Sequence, residues 1–543
     1  MLELHSNLIQ QSINHFKNGN IAESKKIAID ILDKSPENTD AHYILGIIAN
    51  SEENYDEALF YFEHVVARIP KDPEVWNHLA ITLIKKERYD EAITNFKKSL
   101  DLGSLNKINI FNNIVLSIFQ RNRNLMNKDY SDVVYYCKRI LEIDTNNFAA
   151  LNNLALANIY ELNYNEAIKI LKKVLKLDPS SINANQNMGL AYKYKNDYAK
   201  AESFYKKTLF LTKSNANKRT SKVLSRHNIS ITLGEVQLSQ LKFVEGWPNF
   251  INKSSEKNND FLQIASKPRW NPDMGHNQNI LIVGQFGLGE QILFSSILPE
   301  ARIKFTKIIF AIDKRLLNLM NSLYPNISFI DKKFIQEEYF DCFLPMTSLG
   351  LLFRNSINDF LLSQNILNQQ KFEKTKVNKT PKLKCAISWK SNNPEFGSLK
   401  SLDFNSLVYL SSSLKKMDIE FYNIQYTNEK EDLDRLKNEY GIDIKTIDGL
   451  DTLNNITGLS DFIETCDFTI NISNTNAHLS AALNKKTYLL LSKGVGTLWY
   501  WENNYKNKNI WYSSIEIFRQ VEERNWRNPI DNLLHQIKKD FSL

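Results

Sequence analysis

Glycine and proline are both scarce, 17 and 13 among 543 residues, which argues against long flexible linkers and low-complexity tails. Cysteine is rarer still. Cys137, Cys342, Cys385 and Cys466 lie far apart and form no Cys-x-x-Cys pair, so neither a zinc site nor a disulfide framework is expected, and a reducing, cytoplasmic setting fits. No apolar run approaches transmembrane length, and the opening MLELHSNLIQQSINHF lacks the apolar core of a secretion signal. An excess of one charge is missing too. The 68 basic and 61 acidic residues leave a balance of +7, without the concentrated basic block of a nucleic-acid binder. What is present is a 43% hydrophobic and 11% aromatic chain, enough for packed domains, whose length suggests roughly three or four domain-sized units.

The first two hundred residues repeat. Tyr55 to Tyr89, Tyr130 to Tyr164 and Tyr164 to Tyr198 are each 34 residues apart, and Ala58 recurs as Ala92, Phe62 as Phe96, Ala167 as Ala201 and Pro36 as Pro70. Ile21, Ser24 and Ala28 hold the equivalent places in an atypical first unit. From Tyr89 to Tyr130 the step is 41, so one unit carries seven extra residues. Leu45-Gly46, Leu79-Ala80 and Met188-Gly189 supply a small residue in each first helix, and Trp76 leads its unit. The pattern resembles the tetratricopeptide repeat, about six units over residues 1–212, and implies an α-solenoid whose stacked units form a concave superhelix. Such a groove suits a protein or peptide partner; it also suits an oligomer contact through the repeats. Amide-rich first helices, at Asn112-Asn113, Asn152-Asn153 and Asn185-Gln186-Asn187, offer groups for a peptide backbone, although Asn is common throughout the chain.

Residues 213–274 read as a helical connector that contains Gly246-Trp247 and ends near Pro268-Arg269-Trp270. Beyond it, short apolar runs alternate with amphipathic helices. In the half spanning 275–372, strands are expected at Asn279–Val283, Lys307–Ile312, Ile327–Ile330 and Cys342–Leu344, with a helix at Glu290–Leu298. A polar stretch, Asn365 to Pro381, marks a linker placed at 373–382. The half spanning 383–543 resumes with strands at Leu383–Trp389 and Ile419–Ile424, helices at Phe404–Leu414 and Glu429–Glu439, and a strand, turn, helix and strand from Asp467 to Leu491. Two α/β halves of this kind predict twin doubly wound, Rossmann-like sheets, with ligands at the carboxyl ends of the strands in the cleft between them.

Three features converge on that cleft. Ser473, Asn474, Thr475 and Asn476 lie where a helix begins, and the unpaired first amides and dipole of a helix suit an anion. The same turn also suits an ordinary capped crossover. His478, one turn on, is either a phosphate partner or a packed structural histidine. Second, Gly287 and Gly289 frame a glycine turn that leads into Glu290, which is either a dipole-matched helix starter or an ionised general base. The turn is not a G-x-G-x-x-G fingerprint, so a dinucleotide is not indicated. Third, Lys390 and Lys400 follow the Leu383–Trp389 strand and are candidates for phosphate oxygens, or simply solvated lysines. Gln425 and Tyr426, with Lys493 and Trp499 beyond the last strand, are candidate base or lid contacts. The Trp499-Tyr500-Trp501 cluster reads as core or a lid rather than a base-stacking platform.

With these residues in hand, the chain resembles the bacterial tetratricopeptide proteins whose C-terminal domain is similar to glycosyltransferase family 9, the family of the ADP-heptose:lipopolysaccharide heptosyltransferases. Its arrangement is also similar to the protein O-linked N-acetylglucosamine transferases, in which repeats precede a GT-B unit. The resemblance rests on the repeats, Gly246-Trp247, GLGEQILF, ISWKSNN, ISNTNAHLSAALNK and GVGTLWYW. It implies an inverting transfer of a sugar from a nucleotide-diphosphate donor to a hydroxyl, with no cofactor and no metal. Glu290 stands where that family usually has an Asp proposed as the base. Asn474 stands where an Asp is common. The resemblance assigns the departing diphosphate to the turn amides and Lys390, and leaves open a sugar-nucleotide scaffold without chemistry or a peptide-binding adaptor. Asp432-Leu433-Asp434 has the D-x-D form of metal-dependent transferases, but within EKEDLDRLKNEY it reads as a solvated helix face.

Overall fold

Short polar side chains start the helices of the front half. Asn38, Asp72 and Asn147 accept hydrogen bonds from the amides of Ala41, Glu74 and Ala150 at 2.9, 2.9 and 3.0 Å, satisfying donors that have no partner inside the helix. The computed structural model describes residues 2–122, 129–214, 221–251, 267–275, 278–361, 382–393, 396–427, 429–506 and 508–543. It divides into two compact units, Met1–Asn187 and Met188–Leu543.

In the first unit, helices pack as successive hairpins: α1 (Leu2–Lys17) on α2 (Ile21–Lys34), α3 (Thr39–Ser51) on α4 (Tyr55–Arg68), α5 (Pro73–Lys85) on α6 (Tyr89–Asp101), α7 (Lys107–Asn122) on α8 (Ser131–Ile143), and α9 (Phe148–Tyr160) on α10 (Tyr164–Leu177). Helix α11 (Ile182–Tyr194) spans the boundary between units. Gly19, Glu53 and Glu87, spaced 34 apart, reverse the chain inside the first three hairpins with φ of 80°, 61° and 60°, and Leu162 does so between α9 and α10 with φ 66°. Left-handed backbone disfavours a side chain, so packing of the helices on either side must hold these turns. Small residues set the approach. A Cβ built on Gly46 would lie 2.8 Å from the Phe62 ring, and Phe62 is fully buried.

The second unit opens with helices as well. α12 (Tyr198–Ser214), α13 (Ser221–Ser239) and α14 (Phe243–Ile251) follow α11, and Asn196 and Leu241 repeat the left-handed reversal, each with φ 61°. Glu202 ties the three together. Burial raises the pKa of this carboxyl, but Lys206, Lys242, Gln237 and Gln240 all donate to it and hold it at about 2. These links tie α12 to the second compact unit, which begins at Met188. Trp247 on α14 then anchors the helices to the first sheet. Its ring occupies the space a Gly350 Cβ would fill, 2.4 Å away, and its N–H donates to the Arg354 carbonyl at 2.7 Å.

The first sheet is parallel, with strands β1 (Asn279–Val283), β2 (Lys307–Ile312), β3 (Ser328–Asp331) and β4 (Cys342–Pro345) in the order β3-β2-β1-β4. Helices α15 (Leu288–Ser295), α16 (Leu298–Lys304), α17 (Leu317–Leu323) and α18 (Ser348–Phe353) accompany it. The expected helix over Glu290–Leu298 therefore starts two residues earlier and ends at Ser295. The expected linker at 373–382 lies outside the described residues except for Lys382.

The second sheet contains β5 (Lys384–Ser388), α19 (Gly397–Lys400), α20 (Phe404–Lys415), β6 (Glu420–Asn423), α21 (Lys430–Tyr440), β7 (Ile444–Lys445), α22 (Ile456–Thr465), β8 (Phe468–Ile472), α23 (Thr475–Ala482) and β9 (Thr487–Leu491). α24 (Trp499–Glu502), the small hairpin of β10 (Asn504–Tyr505) and β11 (Lys508–Asn509), β12 (Ile515–Arg519) and α25 (Arg527–Phe541) complete it. Its six parallel strands run β12-β9-β8-β5-β6-β7, an order that reverses between β5 and β8. β7 and β12 were not expected from the sequence. One has only two residues, and the other, IEIFR, mixes charge into an edge strand. All four cysteines are buried and free, and no described helix is long and apolar enough to cross a membrane.

The two sheets meet through α15 and α23. Gly289 on α15 lies against the His478 ring so closely that a Cβ there would be 2.5 Å from Cδ2. His478 is buried under Tyr500 and Trp501 and pairs with the Tyr512 hydroxyl at 3.0 Å. Burial holds its pKa at about 3, below the ordinary 6.5, and the Lys400 charge pushes the same way.

Two stability measurements follow. Gly46→Ala should cost the first unit about 1–3 kcal/mol in a denaturant melt, because the Phe62 ring must move; an unchanged midpoint would show that the close approach is not limiting. The unfolded chain protonates His478 below pH 6.5 while the native chain does not until about 3, so stability falls as pH drops through that window. His478→Gln should melt lower at neutral pH yet lose less on acidification, and parallel slopes for the two proteins would contradict this.

Candidate functional site

The carboxyl ends of β5 and β8, where the second sheet reverses its order, are cross-linked by side chains. Ser388 donates to Asn471 Oδ1 at 2.6 Å and accepts from Asn474 Nδ2 at 3.0 Å. Asn474 is also the N-cap of α23, its Oδ1 accepting from the Ala477 amide at 3.3 Å. The Asn at this position therefore does two jobs that a carboxylate could not do together, since it donates to one strand end while accepting from the helix. Asn476 turns inward and donates to the Ile424 carbonyl at 2.6 Å, and Ser473 accepts from the Trp501 indole at 3.0 Å. The side chains of Ser473, Asn474 and Asn476 thus shape the turn from within. What the turn offers outward is the backbone: the first amides of α23 have no intrahelical acceptor, and Thr475 is partly exposed.

His478 is the packed histidine of the two alternatives, with its ring wedged between α15 and the aromatic side chains behind it. Lys390 departs from expectation too. Its ammonium is paired with Glu429 and, at 2.6 Å, with Asp432. Burial lowers its pKa, but the two carboxylates outweigh that and raise it. Lys390 is therefore neutralised. Asp432 correspondingly leaves the solvated helix face assigned to it and turns in, its side chain only 15% exposed, while Asp434 stays outside.

Lys400, the second lysine candidate, lies at the end of α19. It is 6% exposed, and no carboxylate or other hydrogen-bond partner among the described residues engages its ammonium. Its stem rests on Gly496, where a Cβ would lie 3.0 Å from Lys400 Cγ. Burial pulls its pKa down, and the Glu290 carboxylate works against that shift. Since its charge also acts on His478, Lys400 lies within electrostatic range of both Glu290 on α15 and His478 on α23. A buried cation without a counter-charge is costly, and a bound anion would offset that cost.

Glu290 occupies the first turn of α15 and accepts a hydrogen bond from the Tyr500 hydroxyl at 3.3 Å. Gly287 leaves room beside it, since a Cβ there would be 3.2 Å from Glu290 Oε2. Phe286 at the tip of this turn has φ 59°, and Gln291 Nε2 holds its carbonyl at 3.4 Å.

The expected base or lid contacts divide. Gln425 is spent on the chain itself, accepting from the Trp389 and Lys390 amides at 3.0 Å each and donating to the Lys390 carbonyl. Lys493 donates to the Val521 carbonyl at 2.6 Å. Trp499 is core, buried edge-on against Trp247. Tyr426 stays partly exposed, with its hydroxyl accepting from the Asn392 amide at 3.2 Å. Tyr500 escaped sequence reasoning as a site residue, because only its aromatic neighbours drew attention to it.

Models of the tetratricopeptide repeat match residues 9–73, 49–98, 148–181 and 182–209, which establishes these repeats in the N-terminal region. Protein FlbA of Caulobacter vibrioides is 22% identical over 356 residues, covering 59% of this chain and 55% of FlbA. The chain thus spans little more than half the length of that relative. Among solved structures, a tetratricopeptide repeat protein from Parabacteroides merdae is similar at 16% identity, covering 48% of this chain and 96% of that one with a TM-score of 0.38. YrrB, described as a tetratricopeptide protein with an unusual peptide-binding site, is similar at 19% identity, covering 34% and 91% with a TM-score of 0.29. The N-terminal part of the chain is a tetratricopeptide-repeat α-solenoid, and parallel sheets follow it.

Proposed function

We propose that the cleft within residues 188–543 binds the diphosphate of a sugar nucleotide and transfers the sugar to a hydroxyl, in the manner of a GT-B glycosyltransferase. The observation that carries this reading is Lys400, a buried cation whose ammonium has no hydrogen-bond or ion-pair partner among the described residues and feels the Glu290 carboxylate only at longer range, within electrostatic reach of α23. In the reaction, Glu290 removes the proton of the acceptor hydroxyl as its oxygen attacks the anomeric carbon. The bond from that carbon to the diphosphate breaks, its electron pair leaves on the phosphate oxygen, and the anomeric configuration inverts. Lys400 and the Thr475 and Asn476 amides stabilise the charge that develops. The acceptor in this reading is a protein or peptide held by the repeats. Asn77, Asn112 and Asn152, on the first helices of three successive hairpins, each keep a buried side-chain oxygen without a hydrogen-bond partner.

A second reading, a binding scaffold or adaptor without chemistry, is favoured by one observation: Ser473, Asn474, Asn476 and His478 are all engaged by neighbours within the fold. Titration separates the two. Against UDP, GDP and ADP, the preferred nucleotide should bind Lys400→Met roughly 10- to 100-fold more weakly than wild type, the loss expected for a charged hydrogen bond. An affinity within about twofold of wild type would remove Lys400 from the site. Glu290→Gln should retain that nucleotide but lose about 10²- to 10⁴-fold in sugar transfer; undiminished turnover would end its assignment as the base, and turnover absent from the wild type would leave the scaffold.

A further inference from the structure

Two consecutive aromatic side chains on α24 reach residues that belong to the two different sheets. Tyr500 donates its hydroxyl to Glu290 on the first sheet's glycine-turn helix at 3.3 Å, and Trp501 donates its indole N–H to Ser473 in the turn before α23 at 3.0 Å. The helix that carries them is fixed on every side. Asn509 donates to the Tyr500 carbonyl at 2.9 Å, Trp499 stands edge-on to Trp247, and Glu502 pairs with Arg519. Tyr500 is 2% exposed, and burial together with the Glu290 charge pushes its hydroxyl well above its usual pKa. It therefore stays protonated and can only donate to the carboxylate.

We infer that Tyr500 is a positioning residue for Glu290: through the rigid α24, it holds the base carboxylate at a fixed setting relative to the anion turn. The inference rests on the transferase reading. Glu290 is otherwise a flexible side chain at a helix start with glycine space beside it, and a base gives its full effect only when its oxygen is already within reach of the proton it takes. A hydrogen bond from one half of the site to the base in the other supplies that constraint, and Trp501 gives the same helix a second fixed point at the turn.

The test is a double-mutant cycle in the full chain with Tyr500→Phe, Glu290→Gln and both together. Release of nucleotide diphosphate from UDP-, GDP- and ADP-sugars is measured beside calorimetric affinity for the nucleotide. Tyr500→Phe should lower kcat about tenfold, the value of a hydrogen bond to a charged group, with nucleotide affinity within about twofold. In the Glu290→Gln background it should change turnover by less than about twofold, because the group it orients is gone. An equal loss in both backgrounds, or a loss of nucleotide affinity, would mark a merely structural tyrosine and overturn the inference. Unchanged turnover in Tyr500→Phe, with an active wild type, would overturn the inference alone. A wild type that binds nucleotide but transfers no sugar would overturn the transferase reading and the inference with it.

Discussion

The contact of Gly289 with His478 is the constraint on which the cleft depends. With no side chain at position 289, the helix bearing Glu290 comes down directly onto α23. The neutral imidazole fills the gap and pairs with the Tyr512 hydroxyl, so this joint needs no charge. Everything placed around it follows from that closeness. Glu290 comes within reach of Tyr500, and the Lys400 charge acts on both Glu290 and His478.

The electrostatics of the site turn on which lysine is neutralised. Two lysines follow β5, ten residues apart, and from the sequence either suits a phosphate. The deciding charges come from far along the chain, where Glu429 and Asp432 arrive at the N-cap and first turn of α21 and take Lys390. Among the described residues Lys400 receives no such partner, and its stem is held against Gly496. A buried cation left in this way is an asymmetry that a folded chain tolerates where an anion comes and goes.

Much of the architecture was legible because it is periodic. The 34-residue step, the small residues of the first helices and the alternation of apolar runs gave the hairpins and most of the strands. The turns inside the hairpins were not legible. Of the left-handed positions, Gly19 and Asn196 are residue types that suit such a backbone, but Glu53, Glu87, Leu162 and Leu241 carry side chains that give no sign of it. Their conformation comes from helix packing rather than local preference. The same holds at the site. Glu290 and the anion turn are local features that a strand, turn and helix pattern exposes, whereas the pairing of Lys390, the packing of His478 and the bond from Tyr500 to Glu290 join residues dozens to hundreds of positions apart. Asp432 was misplaced for that reason: its charged helical surroundings were read correctly, but its partner lies 42 residues earlier.

The central claim is that this cleft recognises a diphosphate, and the direct measurement is calorimetric titration of the unaltered chain with UDP, GDP and ADP, each beside its own monophosphate. The account predicts that at least one diphosphate binds about tenfold or more tightly than its monophosphate, a difference of about 1.4 kcal/mol, because the second phosphate reaches Lys400 and the α23 amides. Equal affinities for the two forms, or no binding by any of the three diphosphates, would contradict it.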